Sequence, residues 1–189
     1  MFAALLIVFA LALVVGSQAY TSRALEDQIV NLPGMAGIQD LVKFNQFSGY
    51  LDINISTGKR IHYWFVEAEK DPANAPVVFW TNGGPGCSGL IGFMTEMGPF
   101  RPQGDGSLAF NPHAWNKIAN MVYLEQPSGV GFSYSDTPAD YKTNDQQAAA
   151  DNFATIQEFM LRFPDLANNA LYTTSESCKT IFHFKFCIL

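Results

Sequence analysis

A short apolar run that ends in a glycine-rich turn is the feature that most constrains the fold of this chain. Val77-Val78-Phe79-Trp80 joins β-branched and aromatic residues without a polar break, which is typical of a strand buried on both faces. It leads directly into Asn82-Gly83-Gly84-Pro85-Gly86. Glycines carry no Cβ to shield the backbone, so these N–H groups can approach an anion or a developing oxyanion. By turn chemistry alone the same segment is an ordinary turn, and it lacks the Gly-Lys-Ser/Thr ending of a phosphate loop.

Further strand patterns place that run in a sheet. Polar and apolar residues alternate over residues 50–55, Ser56-Thr57-Gly58-Lys59 interrupts them, and a strand-like run resumes from Ile61 to Val66. This pattern predicts a β-hairpin with Gly58 at positive φ. Asn120 to Leu124 is a second buried-strand candidate, and Ala170 to Thr174 is a last short one. Buried strands that alternate with helices predict an α/β fold with a mostly parallel sheet and helices on its faces.

One long helix is predicted after the second buried strand. Thr143 is the expected N-cap, with Gln146 three residues on in a capping-box arrangement, and Pro164 ends the pattern. Apolar residues at helical spacing predict a stripe that packs into the core and is not a cofactor site: Ala149, Phe153, Ile156, Met160 and Phe163.

The N-terminus carries a targeting pattern. Phe2 to Val15 is unbroken and apolar but shorter than the roughly 20 residues that span a bilayer. Small residues at Ser17 and Ala19 fit a signal-peptidase site, so residues 1–19 are predicted to be a signal peptide, with an anchor helix as the alternative and no stable membrane span expected. Residues 20–43 have little periodicity and predict an irregular N-terminal arm.

Composition narrows the class of protein. Hydrophobic residues make up 48% and charged residues 15%, which supports a packed core. The net charge is −6 without a basic stripe, which excludes nucleic acid as an expected partner. The three cysteines, Cys87, Cys178 and Cys187, imply a missing partner, an intermolecular bond or a free thiol in an oxidising compartment. Asn54-Ile55-Ser56 is an N-glycosylation sequon.

Five blocks in one order carry a family resemblance. The segment from Trp80 to Gly89 resembles the signature of the serine carboxypeptidase family, peptidase S10, a branch of the α/β-hydrolases. The other blocks are Phe47-Ser48-Gly49-Tyr50-Leu51, Glu96-Met97-Gly98-Pro99-Phe100, Asn111-Pro112-His113-Ala114-Trp115-Asn116, and the run from Glu125 to Tyr134. The resemblance implies that residues 44–177 are the N-terminal part of an α/β-hydrolase domain.

The resemblance also implies roles for single residues. The family's activity is serine-type removal of C-terminal residues from peptides through an acyl-enzyme, without a cofactor or metal. Ser177 matches the nucleophile, and the backbone N–H groups of Gly84 and Cys178 match the oxyanion hole. The family bridges Cys87 to a cysteine that has no counterpart in this chain. The substrate's terminal carboxylate would be held by Asn82, the Gly83 backbone, Glu96 and Glu176.

The charges at that carboxylate-binding site indicate the pH and the compartment in which the protein would act. Ionising two glutamates and a substrate carboxylate at close range costs free energy. Protonated glutamates can instead donate hydrogen bonds to the carboxylate, so we expect binding to favour acidic pH. The expected partners are therefore peptide or protein C-termini. The expected location is the secretory pathway, with a vacuolar, lysosomal or extracellular destination. In the full-length family a dimer is possible.

The end of the chain departs from the family pattern. The family's nucleophile turn has small residues two before and two after the serine, where this chain has Ser175 and Lys179. Residues 178–189 are unrelated to the family, and no triad Asp or His region follows Ser177. We therefore expect an incomplete enzyme that is inactive alone, with one sheet edge unpaired and prone to aggregation. An acyltransferase of the same family and a non-catalytic truncated product are the alternatives.

Overall fold

The computed structural model describes residues 20–177 of the 189-residue chain. The predicted signal peptide at 1–19, the Cys178 N–H, Cys187 and the predicted unrelated tail at 178–189 lie outside the described residues. The main helices are α1 (Ser22–Glu26), α2 (Gly89–Ile91, which continues as a π-helical turn over Gly92–Glu96) and α3 (Asp145–Arg162). The strands are β1 (Gln46–Asn54), β2 (Lys59–Val66), β3 (Val77–Thr81), β4 (Phe100–Pro102), β5 (Leu108–Phe110), β6 (Asn120–Glu125) and β7 (Leu171–Ser175).

The main sheet has five strands in the order β1-β2-β6-β3-β7. β6, β3 and β7 are parallel, whereas the β1–β2 and β2–β6 pairs are antiparallel. The α/β class is confirmed, but the prediction of a mostly parallel sheet was wrong, since the sheet is mixed. The difference has a simple cause: a hairpin joins β1 and β2, and β6 returns beside β2 in the opposite direction.

The predicted hairpin is present and has the expected turn. β1 and β2 pair from Gln46 opposite Val66 to Asn54 opposite Lys59, with a shift in register between Asp52 and Asn54. Gly58 has a φ of +68°, which only glycine adopts without strain. The short β4–β5 ribbon was not predicted from the sequence.

Both faces of the sheet are covered by apolar side chains. One face packs against α3 and the turn after it, with Phe47, Phe65 and Phe79 against Phe159 and Phe163. The other face packs Val66, Trp80 and Tyr123 against Phe93 and Phe100. The predicted buried strands β3 and β6 are confirmed, since every residue in both is buried. This explains their unbroken apolar sequence.

Helix α3 begins one residue later than predicted. Its N-cap is Asn144, whose Oδ1 accepts a hydrogen bond from Gln147 N at 2.9 Å, whereas Thr143 lies outside the helix. Pro164 follows the end of the helix as predicted. Ala149, Ile156 and Phe163 are buried, but Phe153 is 41% exposed, so its placement in the core was wrong.

Polar residues on the buried face of α3 explain that error. Asp151 pairs with Lys59 Nζ at 2.9 Å, and Thr155 Oγ1 donates to the Asp151 carbonyl at 2.7 Å. Arg162 pairs with Asp27 and is likewise buried. These polar groups can be buried because they are paired. The buried face of α3 therefore includes them, and Phe153 lies partly exposed.

The N-terminal arm is mostly irregular but contains a helix that was not predicted. Thr21 caps α1 by accepting a hydrogen bond from Ala24 N, and Ala24 is fully buried. The arm adds a bridge to the sheet edge, where Gln28 pairs with Phe47. No helix among residues 20–177 has both the length and the apolarity to cross a membrane.

Candidate active site

The carboxyl ends of the parallel strands bring the predicted site residues together. Thr81 at the end of β3 lies opposite Leu124 of β6 and Ser175 of β7. The segments that follow β3 and β7 therefore leave the sheet side by side. In open α/β sheets this edge is where ligands bind.

Asn82 is the buried anchor of this edge, with only 2% of its surface exposed. Its Oδ1 accepts hydrogen bonds from Trp80 Nε1 at 2.8 Å and from Gly92 N at 3.1 Å. Its Nδ2 donates to Glu176 Oε2 at 3.0 Å. One side chain thus ties together the ends of β3 and β7 and the start of the π-helical turn.

Ser177 follows β7 in a conformation that is rare for a residue with a side chain. Its φ is +57°, in the left-handed region. Glu176 N donates to Thr81 O at 3.3 Å, which continues the pairing with β3 up to the turn. Ser177 is exposed at the end of this sharp strand-to-loop turn.

The glycine loop, which we define as residues 83–88, passes directly beside Ser177. A Cβ on Gly83 would lie 2.7 Å from Ser177 Cβ and 3.3 Å from Ser177 Oγ, so only glycine permits this approach. Gly84 has a φ of +114°, and Cys87 N donates to Gly83 O at 3.1 Å. The loop therefore presents backbone next to the serine, as the run of glycines predicted.

Glu96 is placed differently from the other predicted carboxylate ligands. It ends the π-helical turn and is exposed, and its described hydrogen bonds are accepted by its backbone carbonyl, from Arg101 and Asn111. Its helix is nevertheless tied to the site, because Gly92 at the start of the turn donates to Asn82. A Cβ on Gly92 would collide with Trp80 Nε1, so glycine sets this close packing.

Comparison with known proteins identifies the family. The family model described as serine carboxypeptidase matches residues 33–178. The chain belongs to the serine carboxypeptidase family. It is 50% identical over 158 residues to the lysosomal protective protein of Mus musculus, covering 83% of this chain and 32% of that protein. It is 43% identical over 154 residues to serine carboxypeptidase-like 44 of Arabidopsis thaliana, covering 80% of this chain and 31% of that protein.

The solved structure of a carboxypeptidase confirms the fold of this serine carboxypeptidase family member. Kex1(delta)p, a prohormone-processing carboxypeptidase from Saccharomyces cerevisiae, matches with a TM-score of 0.76 at 22% identity, over 87% of this chain and 38% of that one. The described residues therefore form part of an α/β-hydrolase fold, as predicted. The chain spans about a third of the length of the curated relatives it matches.

A second polar cluster at the same sheet edge, formed by Glu125, His62 and their neighbours, was not predicted from the sequence. The Glu125 carboxylate accepts hydrogen bonds from Ser88 Oγ and, at 2.9 Å, from Phe132 N. His62 Nδ1 lies 3.0 Å from Glu125 Oε2, and His62 Nε2 lies 2.9 Å from Ser48 Oγ. The available signal was a carboxylate directly after the buried run of β6.

Electrostatics in this cluster favour the carboxylate form. Burial by itself raises the pKa of Glu125, but the contacts with His62, Phe132 N and Ser88 outweigh it and leave the pKa below its usual range. The carboxylate thus stays ionised at the end of β6 although Glu125 is only 1% exposed.

Two of the remaining predicted residues, Asn54 and Cys87, are exposed. Asn54 is exposed at the end of β1, and Ser56 Oγ donates to its Oδ1 at 2.7 Å. Cys87 is exposed within the glycine loop and forms no disulfide among residues 20–177. Residues 20–177 contain no group of three or more His, Cys, Asp or Glu side chains able to hold a metal ion.

Proposed function

We propose that this chain supplies the nucleophile and the carboxylate-binding residues of a serine-type carboxypeptidase. The observation that carries the proposal is the hydrogen bond from Asn82 Nδ2 to Glu176 Oε2, made directly beside Ser177. It joins the two loops that follow β3 and β7, which are distant in sequence. A peptide whose terminal carboxylate rests there has its last peptide bond within reach of the serine.

Ser177 is the proposed nucleophile. Its Oγ attacks the carbonyl of the last peptide bond, and the leaving amino acid departs from an acyl-enzyme that water then hydrolyses. The developing oxyanion is held by the N–H groups of Gly84 and Cys178. Support comes from the positive φ of Ser177, which suits the strained strand-to-helix turn of α/β-hydrolases, and from the closeness of Gly83.

The carboxylate grip gives the enzyme its preference for chain ends. Asn82 donates from a buried position, the Gly83 backbone lies beside Ser177, and Glu96 and Glu176 are the proposed carboxyl groups of the site. A glutamate can share a proton with the substrate carboxylate only in the acid range, so binding is expected to strengthen as the pH falls.

We propose that the 189-residue chain alone does not hydrolyse peptides. The mechanism needs an imidazole to take the Ser177 proton, and losing triad members lowers rates by on the order of 10⁴ to 10⁶. His62 Nε2 is hydrogen-bonded to Ser48 Oγ, His62 Nδ1 lies 3.0 Å from Glu125 Oε2, and His113 lies on the loop after β5. In the family the triad Asp and His come later in the chain than the serine.

A secretory location is part of the proposal. The mouse relative is named a lysosomal protective protein, which agrees with an acidic compartment. The exposed Asn54 with its paired Ser56 has the accessibility that a glycan acceptor needs. The proposed substrates are therefore peptides or proteins that reach this pathway.

Binding and hydrolysis are tested separately. Calorimetry at about pH 5, where a shared proton is expected, compares a blocked dipeptide with a free C-terminal carboxylate and the same dipeptide as its amide. We expect only the free acid to bind and the Glu176→Ala variant to lose that binding. Chromatography of the same mixtures is expected to show no released amino acid.

Two results would contradict the proposal. Equal binding of the acid and the amide would remove the carboxylate grip. Hydrolysis by the purified chain that disappears in Ser177→Ala would show that it is active alone. Glu158→Gln on α3 is the matched control, because it removes a carboxylate from a different surface.

A further inference from the structure

We propose that Glu125 is a positioning residue that fixes the glycine loop against the sheet, an inference that rests on the proposed oxyanion role of that loop. The loop follows Asn82 and ends at Ser88. Asn82, directly before the loop, is itself fixed by three hydrogen bonds, with Trp80, Gly92 and Glu176. Glu125, at the end of β6, holds the other end of the loop.

Ser88 is the link between Glu125 and the loop. Its Oγ donates to Glu125 Oε1 and also accepts from Leu90 N at 3.1 Å, which caps α2. Gly89 packs so closely on β6 that an added Cβ would collide with Leu124 O. The segment that leaves the loop is thus pinned to β6 by a hydrogen bond and by backbone contact.

A second loop closes over the same carboxylate. Phe132 N donates to Glu125 Oε2 at 2.9 Å, and Ser133 Oγ donates to the Glu125 backbone carbonyl. A Cβ on Gly131 would overlap the carboxylate, so this loop wraps it without a gap. Glu125 therefore joins β6, the glycine loop and residues 131–133 in one rigid unit.

His62 is a close polar neighbour of the buried carboxylate. A carboxylate that is 1% exposed would be costly without polar partners, and His62 Nδ1 on β2 lies 3.0 Å from Glu125 Oε2. The lowered pKa of Glu125 has a clear sign: the ionised contacts contribute fully above the ordinary carboxyl pKa and are lost only as the pH falls through the lower, folded value. The loop thus remains held in the acidic range proposed for binding.

Ser48, His62 and Glu125 are arranged in the order of a Ser–His–acid relay, since Ser48 Oγ lies 2.9 Å from His62 Nε2. Their surroundings argue against a second nucleophile. The His62 side chain is only 8% exposed, and the rings of Phe132 and Tyr50 lie 5.2 and 5.5 Å from it. Ser48 N already donates to Asp27 O at 2.8 Å and is not available to an oxyanion.

Hydrogen exchange tests the inference on the full chain without any substrate. Mass spectrometry follows the peptide that contains residues 83–88, in which Cys87 N is hydrogen-bonded to Gly83 O, and, for comparison, peptides from α3. Losing a hydrogen bond to a charged group is expected to speed exchange in the glycine loop by about tenfold or more in Ser88→Ala and Glu125→Gln. Ser88→Thr keeps the hydroxyl and is expected to restore slow exchange. Glu158→Gln is expected to leave it unchanged.

Several outcomes overturn the inference. Unchanged exchange of the loop in Ser88→Ala would do so, as would equal acceleration in α3, which would mean general destabilisation. If Glu125→Gln fails to fold, the comparison of Ser88→Ala with Ser88→Thr still decides. Since no peptide is involved, a failure of free-acid binding would remove the proposed function and leave this result standing.

Discussion

Single residues without side chains set the geometry around Ser177. Gly83 allows the loop after β3 to pass beside Ser177, and Gly92 allows the π-helical turn to approach Trp80 and Asn82. Both contacts are closer than any side chain would permit. The positive φ of Ser177 completes the arrangement from the other loop. The absence of a Cβ at these glycines is therefore as important for the geometry of the site as its polar groups.

Gly83→Ala is expected to destabilise the protein by about 1–3 kcal/mol, because the new methyl group overlaps Ser177 and the Glu176 carbonyl. Urea unfolding followed by circular dichroism measures the change. Gly104→Ala is the matched control, since a Cβ there meets no atom within 4 Å. An equal effect of the two substitutions would contradict the close approach of the loops.

At the scale of elements, the ends of α3 are set by local hydrogen bonds and its rotation by distant partners. Asn144 in extended conformation satisfies Gln147 N, and this local contact chooses between two neighbouring residues that are both good caps. The buried face of the helix follows its pairs with β2 and the N-terminal arm, through Lys59 and Asp27. Both effects override the simple apolar stripe.

Asn144→Ala is expected to cost about 1 kcal/mol in the free energy of unfolding, since it removes the capping acceptor. Thr143→Ala is expected to stay within about 0.5 kcal/mol, because Thr143 lies outside the helix. Denaturant unfolding of the two variants side by side checks the assignment. A larger loss of stability in Thr143→Ala than in Asn144→Ala would show that Thr143 is the N-cap.

At the scale of the whole molecule, one edge of the sheet differs from the rest. β7 pairs only with β3 among the described strands, and its first residues, Leu171 and Tyr172, are 39% and 56% exposed. Exposed apolar strand edges template pairing with other chains. The aggregation expected from the sequence stays a prediction, and the structure gives it a defined place, the free edge of β7.

Tyr172→Lys is expected to weaken self-association of the chain, because a charge on an edge strand opposes strand pairing. Light scattering coupled to size-exclusion chromatography over a range of concentrations measures it. Leu161→Lys on α3 is the control, since Leu161 is also exposed but lies on a helix. If both variants reduce association equally, exposed apolar surface in general, and not the β7 edge, is responsible.

Features that depend on neighbours in the sequence were predictable. The turn at Gly58, the buried strands β3 and β6, and the glycine run after β3 each have a local physical cause in side-chain shape or backbone freedom. The family blocks added the α/β-hydrolase fold, which the structural comparison confirms. The assigned roles of Ser177, Asn82 and Glu176 remain predictions, although the structure brings these residues together.

Only the tertiary structure decided which distant groups meet. The mixed pairing of the sheet, the exposed position of Phe153 and the paired polar face of α3 follow from contacts between residues far apart in the chain. The Glu125 cluster is the clearest case, since its partners come from β2, the glycine loop and the segment after β6. A buried charge is tolerated only where partners converge, and convergence is a property of the fold.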